Sequence, residues 1–400
     1  NNDYPVAART LSDNTAIFIS SRKLGSVFNL PQAEMDISDT EFFIDVEEGT
    51  IATEELIISN TGDENSTLQF NLGSSPFENA GAADTYGNSW TDSDLGNDTQ
   101  YEWIEIGTEN QIQFAHNDYG IITDIGFDFT FYGNNFNQVT INPNGWIGFG
   151  DDDSDWSNDD LSSSDGPYNA IFAFWDDLNP LNDEPSCSNE AQGNVYYQSD
   201  DDKMVIWYND VVRCGTDPNY EGIFDFQIIL SKDQRIDINY RNMEGYTNSS
   251  TIGIQNEDGS DFLQISSNDS YVHDELALTF RPLPEWYGFE LISGSDQLNY
   301  GESAIYEISA DANFLFDDED SVYISLTSNA SDPILIPVNV TLLQSANDPG
   351  DINGDDIVNV LDIVMLVNYI LGTMEFDDEQ ISAADLNNDG IINVLDIVTL

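Results

Sequence analysis

The sequence predicts a mainly β protein that ends in a small α-helical module. Short runs of alternating apolar residues, broken by Asn, Asp, Gly and Ser, recur along most of the 400 residues, as expected for strands and turns. No convincing pattern of a long helix precedes residue 360. The C-terminal part repeats one oxygen-rich pattern twice, and a helical run follows each copy. The length is consistent with about two to four domains.

Residues 1–36 form the first predicted segment. The runs Thr15–Ser20 and Gly25–Leu30 are strand-like, and Arg22 and Lys23 lie between them. Two interpretations stay open. The segment is either the tail of an upstream domain or a strand donated to a neighbouring molecule.

Residues 37–74 and 285–344 are predicted to form one split sandwich. The first part contains the runs Glu55–Ser59 and Ser66–Asn71, and it resembles the first half of bacterial immunoglobulin-like modules of secreted proteins. The strands expected for the second half begin only at Phe289. Because so short a half-sandwich could not bury a core alone, one interrupted sandwich is favoured over two separate small sandwiches.

The insertion at residues 75–284 has a pattern of its own. The order FYG, NGWIGFG, FAFWDD, VYY, FQIIL and INY runs from Phe131 to Tyr240. This order resembles the nidogen-like (NIDO) extracellular β-domains and related modules that lie beside bacterial secreted proteases. The resemblance implies an extracellular, β-rich module of adhesive or matrix type, without known catalysis.

The two cysteines, Cys187 and Cys214, flank a predicted hairpin with its turn at Asp200–Asp202. If Ser199 faces Lys203, Cys187 lies within one residue of the position opposite Cys214. A disulfide at the base of the hairpin is then geometrically natural, and it implies an oxidising, extracytoplasmic compartment. The alternative is a pair of free, buried thiols.

The two C-terminal repeats predict calcium loops. Asp385 follows Asp351 by 34 residues, and both copies carry Asp or Asn at loop positions 1, 3, 5 and 9 and Asp at position 12. Calcium takes six to eight oxygen ligands, including a backbone carbonyl at position 7 of such a loop. The predicted ligands of the first ion are Asp351, Asn353, Asp355, Ile357, Asn359 and Asp362. Those of the second are Asp385, Asn387, Asp389, Ile391, Asn393 and Asp396.

This pair of loops resembles a type I dockerin over about residues 348–400. The resemblance implies two EF-hand-like loops, each leading into a helix, and a cohesin-like protein partner. Loop positions 10 and 11 hold Val360–Leu361 and Val394–Leu395, where cellulosomal dockerins usually carry small polar or charged residues. An apolar contact is therefore expected there. Position 6 of the first loop is Asp356 instead of Gly, which predicts weaker binding.

The helices of this module are predicted from the same repeats. The first should span Val360 to Leu371 with a broad apolar face and end at Gly372. The second is expected to continue beyond Leu400. The predicted fold class is thus mainly β: an immunoglobulin-like sandwich interrupted by a larger β-rich domain and followed by a small α-helical, calcium-binding, dockerin-like module.

The strongly negative net charge of the chain argues against anionic partners. Nine basic and 75 acidic residues give a net charge of −66, so the chain should repel nucleic acids and anionic membranes and attract divalent cations. No stretch long and apolar enough to cross a membrane is evident. A dense carboxylate surface is also typical of proteins adapted to salty surroundings. With 47 aromatic residues, packed cores are expected in place of disorder.

The sequence does not predict an enzyme. Only two histidines occur, His116 and His273, and neither accompanies a nucleophile-elbow or zinc-helix motif. We expect a secreted, acidic, calcium-binding structural or adhesive protein at the cell surface or in a matrix, self-associating by strand exchange into filaments. The alternative is a non-catalytic targeting tail of a larger secreted hydrolase, such as a subtilisin-like protease. A weaker third reading is a carbohydrate-binding module.

Overall fold

The computed structural model describes residues 5–10, 15–20 and 27–400, apart from 97, 151–153, 163–165, 182–192, 215–221, 344–348, 355–356, 377 and 388–389. Side chains are described from residue 30 onward, except those of residues 378 and 379. Within these ranges the chain is built almost entirely of strands, and its first α-helix begins at Val360. The expectation of a mainly β fold with a helical C-terminal end is therefore confirmed.

The strands fall into an N-terminal set, a split set and an inserted set. The N-terminal strands are β1 (Pro5–Thr10), β2 (Thr15–Ser20) and β3 (Val27–Asn29). The first part of the split set is β4 (Met35–Ile37), β5 (Phe42–Glu47), β6 (Ile51–Asn60) and β7 (Thr67–Ser75). The inserted strands are β8 (Ser89–Asp92), β9 (Ile121–Phe131), β10 (Asn134–Asn142), β11 (Trp146–Gly148), β12 (Ala170–Trp175), β13 (Leu178–Asn179), β14 (Asn194–Ser199), β15 (Lys203–Arg213), β16 (Gly222–Ser231), β17 (Ile236–Gly245), β18 (Thr251–Gln255), β19 (Phe262–Ser267) and β20 (Leu276–Arg281). The split set closes with β21 (Tyr287–Ser293), β22 (Gln297–Asn299), β23 (Ser303–Asp311), β24 (Glu319–Ser328) and β25 (Ile334–Leu343).

In the described residues three α-helices follow, all in the C-terminal region. They are α1 (Val360–Ile370), α2 (Asp378–Ala384) and α3 (Val394–Thr399). The first helix was predicted, and Gly372, at φ +71°, takes the left-handed backbone that ends it. Helix α2 was not predicted.

The split strands pack as two sheets. One sheet has the order β21-β23-β6-β4 and the other has the order β22-β7-β24-β25-β5, with β5 parallel to β25. Strand β5 alternates buried and exposed side chains, so that Phe42, Ile44 and Val46 enter the core. The residues before and after the insertion are close, because the hydroxyls of Ser74 and Tyr287 lie 3.0 Å apart. A sandwich interrupted by a larger β-rich domain, as predicted, is confirmed.

The inserted strands also form two facing sheets. Their orders are β19-β18-β12-β11-β10-β9 and β13-β15-β16-β17-β20-β8, and β14 pairs with β15. An aromatic core fills the space between them, and it includes Phe129, Phe174 and Phe226, each fully buried. The buried Tyr208 and Tyr240 hydroxyls each donate to a backbone carbonyl of the opposite sheet at 2.6 Å, which satisfies their polar atoms.

The register of the β14–β15 hairpin corrects one prediction. Ser199 pairs with Met204, not with Lys203, and the Asp200 amide donates to the Lys203 carbonyl at 3.0 Å. The turn is therefore shorter by one residue than the acidic run suggested, since Lys203 takes part in closing it. The register on which the disulfide prediction rests is therefore shifted by one residue along the strand that leads to Cys214.

A buried ion pair joins the inserted sheets to the sandwich. Arg281, at the end of β20, is only 8% exposed, and its two terminal nitrogens donate to both carboxylate oxygens of Asp320 on β24. The indole N–H of Trp286 donates to the same carboxylate at 2.7 Å, and Asp233 lies 3.8 Å from the guanidinium. Burial alone would raise the pKa of Asp320, but the hydrogen bonds and charge of Arg281 hold that pKa below its usual value.

Candidate metal centre

The first calcium loop is closed by the carboxylate of its last residue. One oxygen of Asp362 accepts hydrogen bonds from the amides of Ile352 and Asn353, at 2.9 and 3.1 Å. The other oxygen accepts from the Asn359 amide at 2.8 Å. Position 12 therefore ties the start of the loop to the start of helix α1. Asp351, at position 1, is 2% exposed and accepts from the Gly354 amide at 3.0 Å.

The second loop repeats this arrangement. Asp396 accepts from the amides of Asn387 and Asn393, at 3.3 and 2.8 Å. Asp385 accepts from the amide of Gly390 at 2.8 Å. Gly390 has φ +77°, so the residue at position 6 takes the left-handed turn that the calcium-loop motif requires.

The asparagines at position 9 begin the helices. The side-chain oxygen of Asn359 accepts from the Leu361 amide at 2.8 Å, and its NH2 group donates to the Ile357 carbonyl at 2.8 Å. Asn393 makes the equivalent bonds, and both helices have complete capping boxes. The position-7 carbonyls thus already accept one bond, but a carbonyl oxygen has a second lone pair that can face an ion.

The carboxylates at position 12 of the two loops are buried in surroundings that fit a bound cation. Asp362 and Asp396 are both 0% exposed. The sequence has no Lys, Arg or His after Arg281, so no basic side chain of this region can neutralise them. A buried charge without a counter-charge costs several kcal/mol. The donor set consists entirely of carboxylate, amide and carbonyl oxygens, which are the ligands that calcium prefers.

The residues predicted for position 5 lie outside the described part of the chain. These are Asp355 and Asp389. Over the ranges that are described, no group of three or more His, Cys, Asp or Glu side chains is close enough to hold a metal. Each loop contributes only two described acids, and its other predicted ligands among the described residues are asparagines and a backbone carbonyl.

A small core positions the two loops against each other. It is formed by Ile352, Leu366 and Ala384, all fully buried. The rings of Tyr369 and Phe376 stack at 4.3 Å beside it. Helix α2 lies between the loops, and the Gln380 side chain donates to the Ile352 carbonyl at 3.3 Å. The unpredicted helix therefore connects the loops.

Both helices present equivalent apolar side chains to solvent. On α1, Val360, Leu361 and Val364 are between 51% and 66% exposed. On α3, the residues 34 positions later are between 57% and 81% exposed, and they are Val394, Leu395 and Val398. We call these six residues the helix-start face. The apolar character expected from positions 10 and 11 is thus exposed on both repeats.

The predicted disulfide cannot be followed to both ends, because Cys187 lies outside the described residues. Cys214 directly follows β15, and its amide donates to the Asp177 carbonyl at 2.6 Å. The pairing stays a prediction. In the part of the chain that is described, no helix is long and apolar enough to cross a membrane.

Comparison with solved structures and curated proteins adds little. No curated protein matches the chain. The surface layer protein SbsC, domains 4–9, is 8% identical with a TM-score of 0.10, and the alignment covers 82% of this chain and 35% of that one. The collagen adhesin (CNA) from S. aureus is 7% identical with a TM-score of 0.09, over 78% and 93% of the two chains. The chain thus spans about a third of the SbsC structure, and scores this low identify no shared fold.

Comparison with family models confirms both predicted resemblances. Residues 96–278, which contain most of the inserted strands, match the model described as NIDO related. Residues 349–400, which contain both calcium loops, match the model of the dockerin type I domain. Type I dockerin domains bind Ca²⁺ through EF-hand-like loops. This chain therefore combines a NIDO-related region with a calcium-binding, type I dockerin-like region.

Proposed function

We propose that this chain is a secreted structural or adhesive protein whose C-terminal module is folded by calcium. The observation that carries the proposal is the pair of fully buried carboxylates, Asp362 and Asp396, in a region without basic side chains. The two matched families are non-catalytic module types that are typical of extracellular proteins. Calcium binds the folded module and not the unfolded one, so it stabilises the fold by mass action.

We infer that each loop binds one ion. In the first loop the ligands are the oxygens of Asp351, Asn353, Asp355, the Ile357 carbonyl, Asn359 and Asp362. In the second they are those of Asp385, Asn387, Asp389, the Ile391 carbonyl, Asn393 and Asp396. The bound ion supplies the positive charge that the buried carboxylates need. The position-12 residues already hold the loop ends together through backbone amides.

The domain organisation that we propose follows the strand pairing. Residues 1–36 form an N-terminal segment, 37–74 and 285–344 form the split sandwich, 75–284 form the inserted domain and 345–400 form the calcium module. The pairing of β6 with β23 and of β7 with β24, across the insertion, supports this division. A disulfide between Cys187 and Cys214 belongs to the same proposal and would stabilise the inserted domain extracellularly.

The helix-start face is the proposed contact surface of the module. On each helix three exposed valines and leucines lie within the first five residues, and clusters of exposed apolar side chains commonly mark protein interaction sites. The partner is either a cohesin-like protein or another copy of this chain. Calcium would act on the interaction indirectly, because it orders the two helices that carry the face.

The test is the size of the full chain, measured by light scattering and electron microscopy, in calcium and in excess chelator. We expect calcium-dependent assemblies that dissolve on chelation, and loss of assembly in the Leu361→Asp, Leu395→Asp double variant. The control is Ile381→Asp on α2, an exposed apolar residue outside the face. A monomer in both conditions contradicts self-assembly and favours a targeting tail of a larger secreted hydrolase.

A further inference from the structure

An open groove lies beside the β9–β10 hairpin of the inserted domain, far in sequence from the calcium loops. A cavity of about 540 Å³ adjoins a second of about 280 Å³, and the two share Asn135, Phe136, Phe149 and Gly150. Among the described residues, no atom lies within 4 Å of a Cβ built on Gly150. The size of the groove lies within the range of about 300–1,000 Å³ that is typical of ligand sites.

The groove is lined by aromatic rings and amides. Phe136 is half-buried and stacks on the buried Phe149, with ring centroids 5.0 Å apart. The amide side chains of Asn134 and Asn135 are exposed at its rim. Glu257 is the single charged side chain that lines either cavity among the described residues, although the chain contains 75 acids. The groove is therefore nearly neutral on an otherwise anionic protein.

Tyr132, two residues before the groove residue Asn134, and Asn169, which lines the groove, both have left-handed backbones, which are uncommon for residues other than glycine. Tyr132, in the hairpin turn, has φ +45°, and its hydroxyl donates to Asp84 at 2.7 Å. Asn169 has φ +54°, and its NH2 group donates to the Phe149 carbonyl at 3.0 Å. Asn169 is 6% exposed, and its side-chain oxygen has no hydrogen-bond partner. Backbone strain and unpaired buried groups cluster at ligand sites, where the surrounding structure enforces them.

We propose that this groove binds a neutral oligosaccharide. The C–H face of a pyranose ring can pack on an aromatic ring such as Phe136, because the apolar surfaces match. Amide side chains both donate and accept hydrogen bonds, as sugar hydroxyls require. An anionic glycan is disfavoured because the groove offers no cationic side chain and the net charge of the protein is −66. The proposal goes beyond calcium-dependent assembly and is independent of it.

The test is calorimetric titration of the full chain with three neutral hexasaccharides: cellohexaose, maltohexaose and mannohexaose. We expect saturable binding of at least one of them, and about tenfold weaker binding after Phe136→Ala, which corresponds to about 1.4 kcal/mol. Asn134→Ala, at an exposed position that supports no core contact, should weaken binding as well. Trp156→Ala is the matched control, because Trp156 is 49% exposed and lies outside the lining.

Failure of the oligosaccharide proposal can be distinguished from failure of the calcium proposal. Binding should persist in excess chelator, because no calcium-loop residue lines the groove. If none of the three hexasaccharides binds, or if Phe136→Ala and Asn134→Ala both bind as tightly as the unmodified chain, the proposal is overturned. Circular dichroism of the variants verifies that each remains folded.

Discussion

The inserted domain and the C-terminal module keep buried carboxylates in two different ways. In the inserted domain, Asp176 and Asp225 are 2% and 4% exposed, and each pairs with an arginine, Arg213 or Arg241. In the module, Asp362 and Asp396 are fully buried, and the sequence around them contains no basic residue. The inserted domain therefore neutralises its buried carboxylates with arginines of its own chain, whereas in our proposal the module neutralises them with bound calcium.

The inserted domain also has a larger apolar core than the C-terminal module. The inserted domain buries a large aromatic core between two sheets. Among its described residues, the module has four apolar side chains that are at most 1% exposed, namely Ile352, Leu366, Ala383 and Ala384, while six valines and leucines of the helix-start face remain exposed. A core of that size cannot fold so short a region alone. On the proposed function, we therefore expect calcium binding to supply a large part of the stability of the module.

The largest expected effect is the loss of the module on chelation. In excess chelator, residues 349–400 should unfold while the β-sheets remain intact. Chymotrypsin should then cut after Tyr369 or Phe376, whose rings stack in the folded module. Tyr300, exposed in the sandwich, provides the internal control and should be cut equally in both conditions. Equal protection of the module with and without calcium would contradict the contrast between the two regions.

The next largest expected effect is a loss of stability when the buried ion pair between Arg281 and Asp320 is broken. Arg281→Met leaves Asp320 buried without its cation, which should lower the free energy of unfolding by about 3–5 kcal/mol in urea titrations. Lys232→Met is the matched control, since its pair with Asp202 is solvent-exposed and should be worth at most about 1 kcal/mol. Both results should be the same in calcium and in chelator. A similar, small loss in both variants would show that the β part does not depend on this counter-charge.

Acid should weaken the same junction. The pKa of Asp320 is lowered in the folded protein, so its ionised form contributes stability above the unfolded pKa of about 4. That contribution is lost as the pH falls through the lower folded pKa. In urea titrations between pH 5 and pH 2, the stability difference between the unmodified chain and Asp320→Asn should be largest at pH 5 and shrink with acid. A difference that does not change with pH would rule out this titration.

The smallest expected effect is a loss of calcium affinity at the second loop alone. Gly390→Ala places a side chain at φ +77° without a steric clash, so the backbone alone should cost about 1 kcal/mol. Calcium affinity at the second loop should fall about fivefold. Gly301→Ala, at φ +79° in the sandwich and equally free of clashes, should have no effect on calcium affinity. Equal calcium affinity in both variants would mean that the left-handed turn at position 6 is not required.

The parts of the fold that were predictable have local signals. The calcium loops follow from oxygen-bearing residues at fixed spacing, and strands such as β9 follow from strict alternation. Strand β20 was not predicted, although its sequence LALTFR alternates large apolar residues with Ala, Thr and Arg. Helix α2 was missed because its stabilising contacts, such as that of Gln380 with Ile352, come from another part of the chain.

The groove and the buried ion pair could not be read from the sequence for the same reason. Phe136 and Glu257 line one groove although they are far apart in the sequence, and Arg281 reaches Asp320 across 39 residues. The helix-start face, by contrast, was visible as Val-Leu at two equivalent positions. Repeated local patterns are therefore the more predictable features of this chain.

The most direct test of calcium-dependent folding is a calorimetric count of bound ions. The unmodified chain should bind two calcium ions at its C-terminal end, and Asp362→Asn and Asp396→Asn should each lose one of them. Glu375→Gln, an exposed acid outside the loops, should keep both. If the two loop variants bind calcium as the unmodified chain does, the buried carboxylates are not its ligands and the account is wrong.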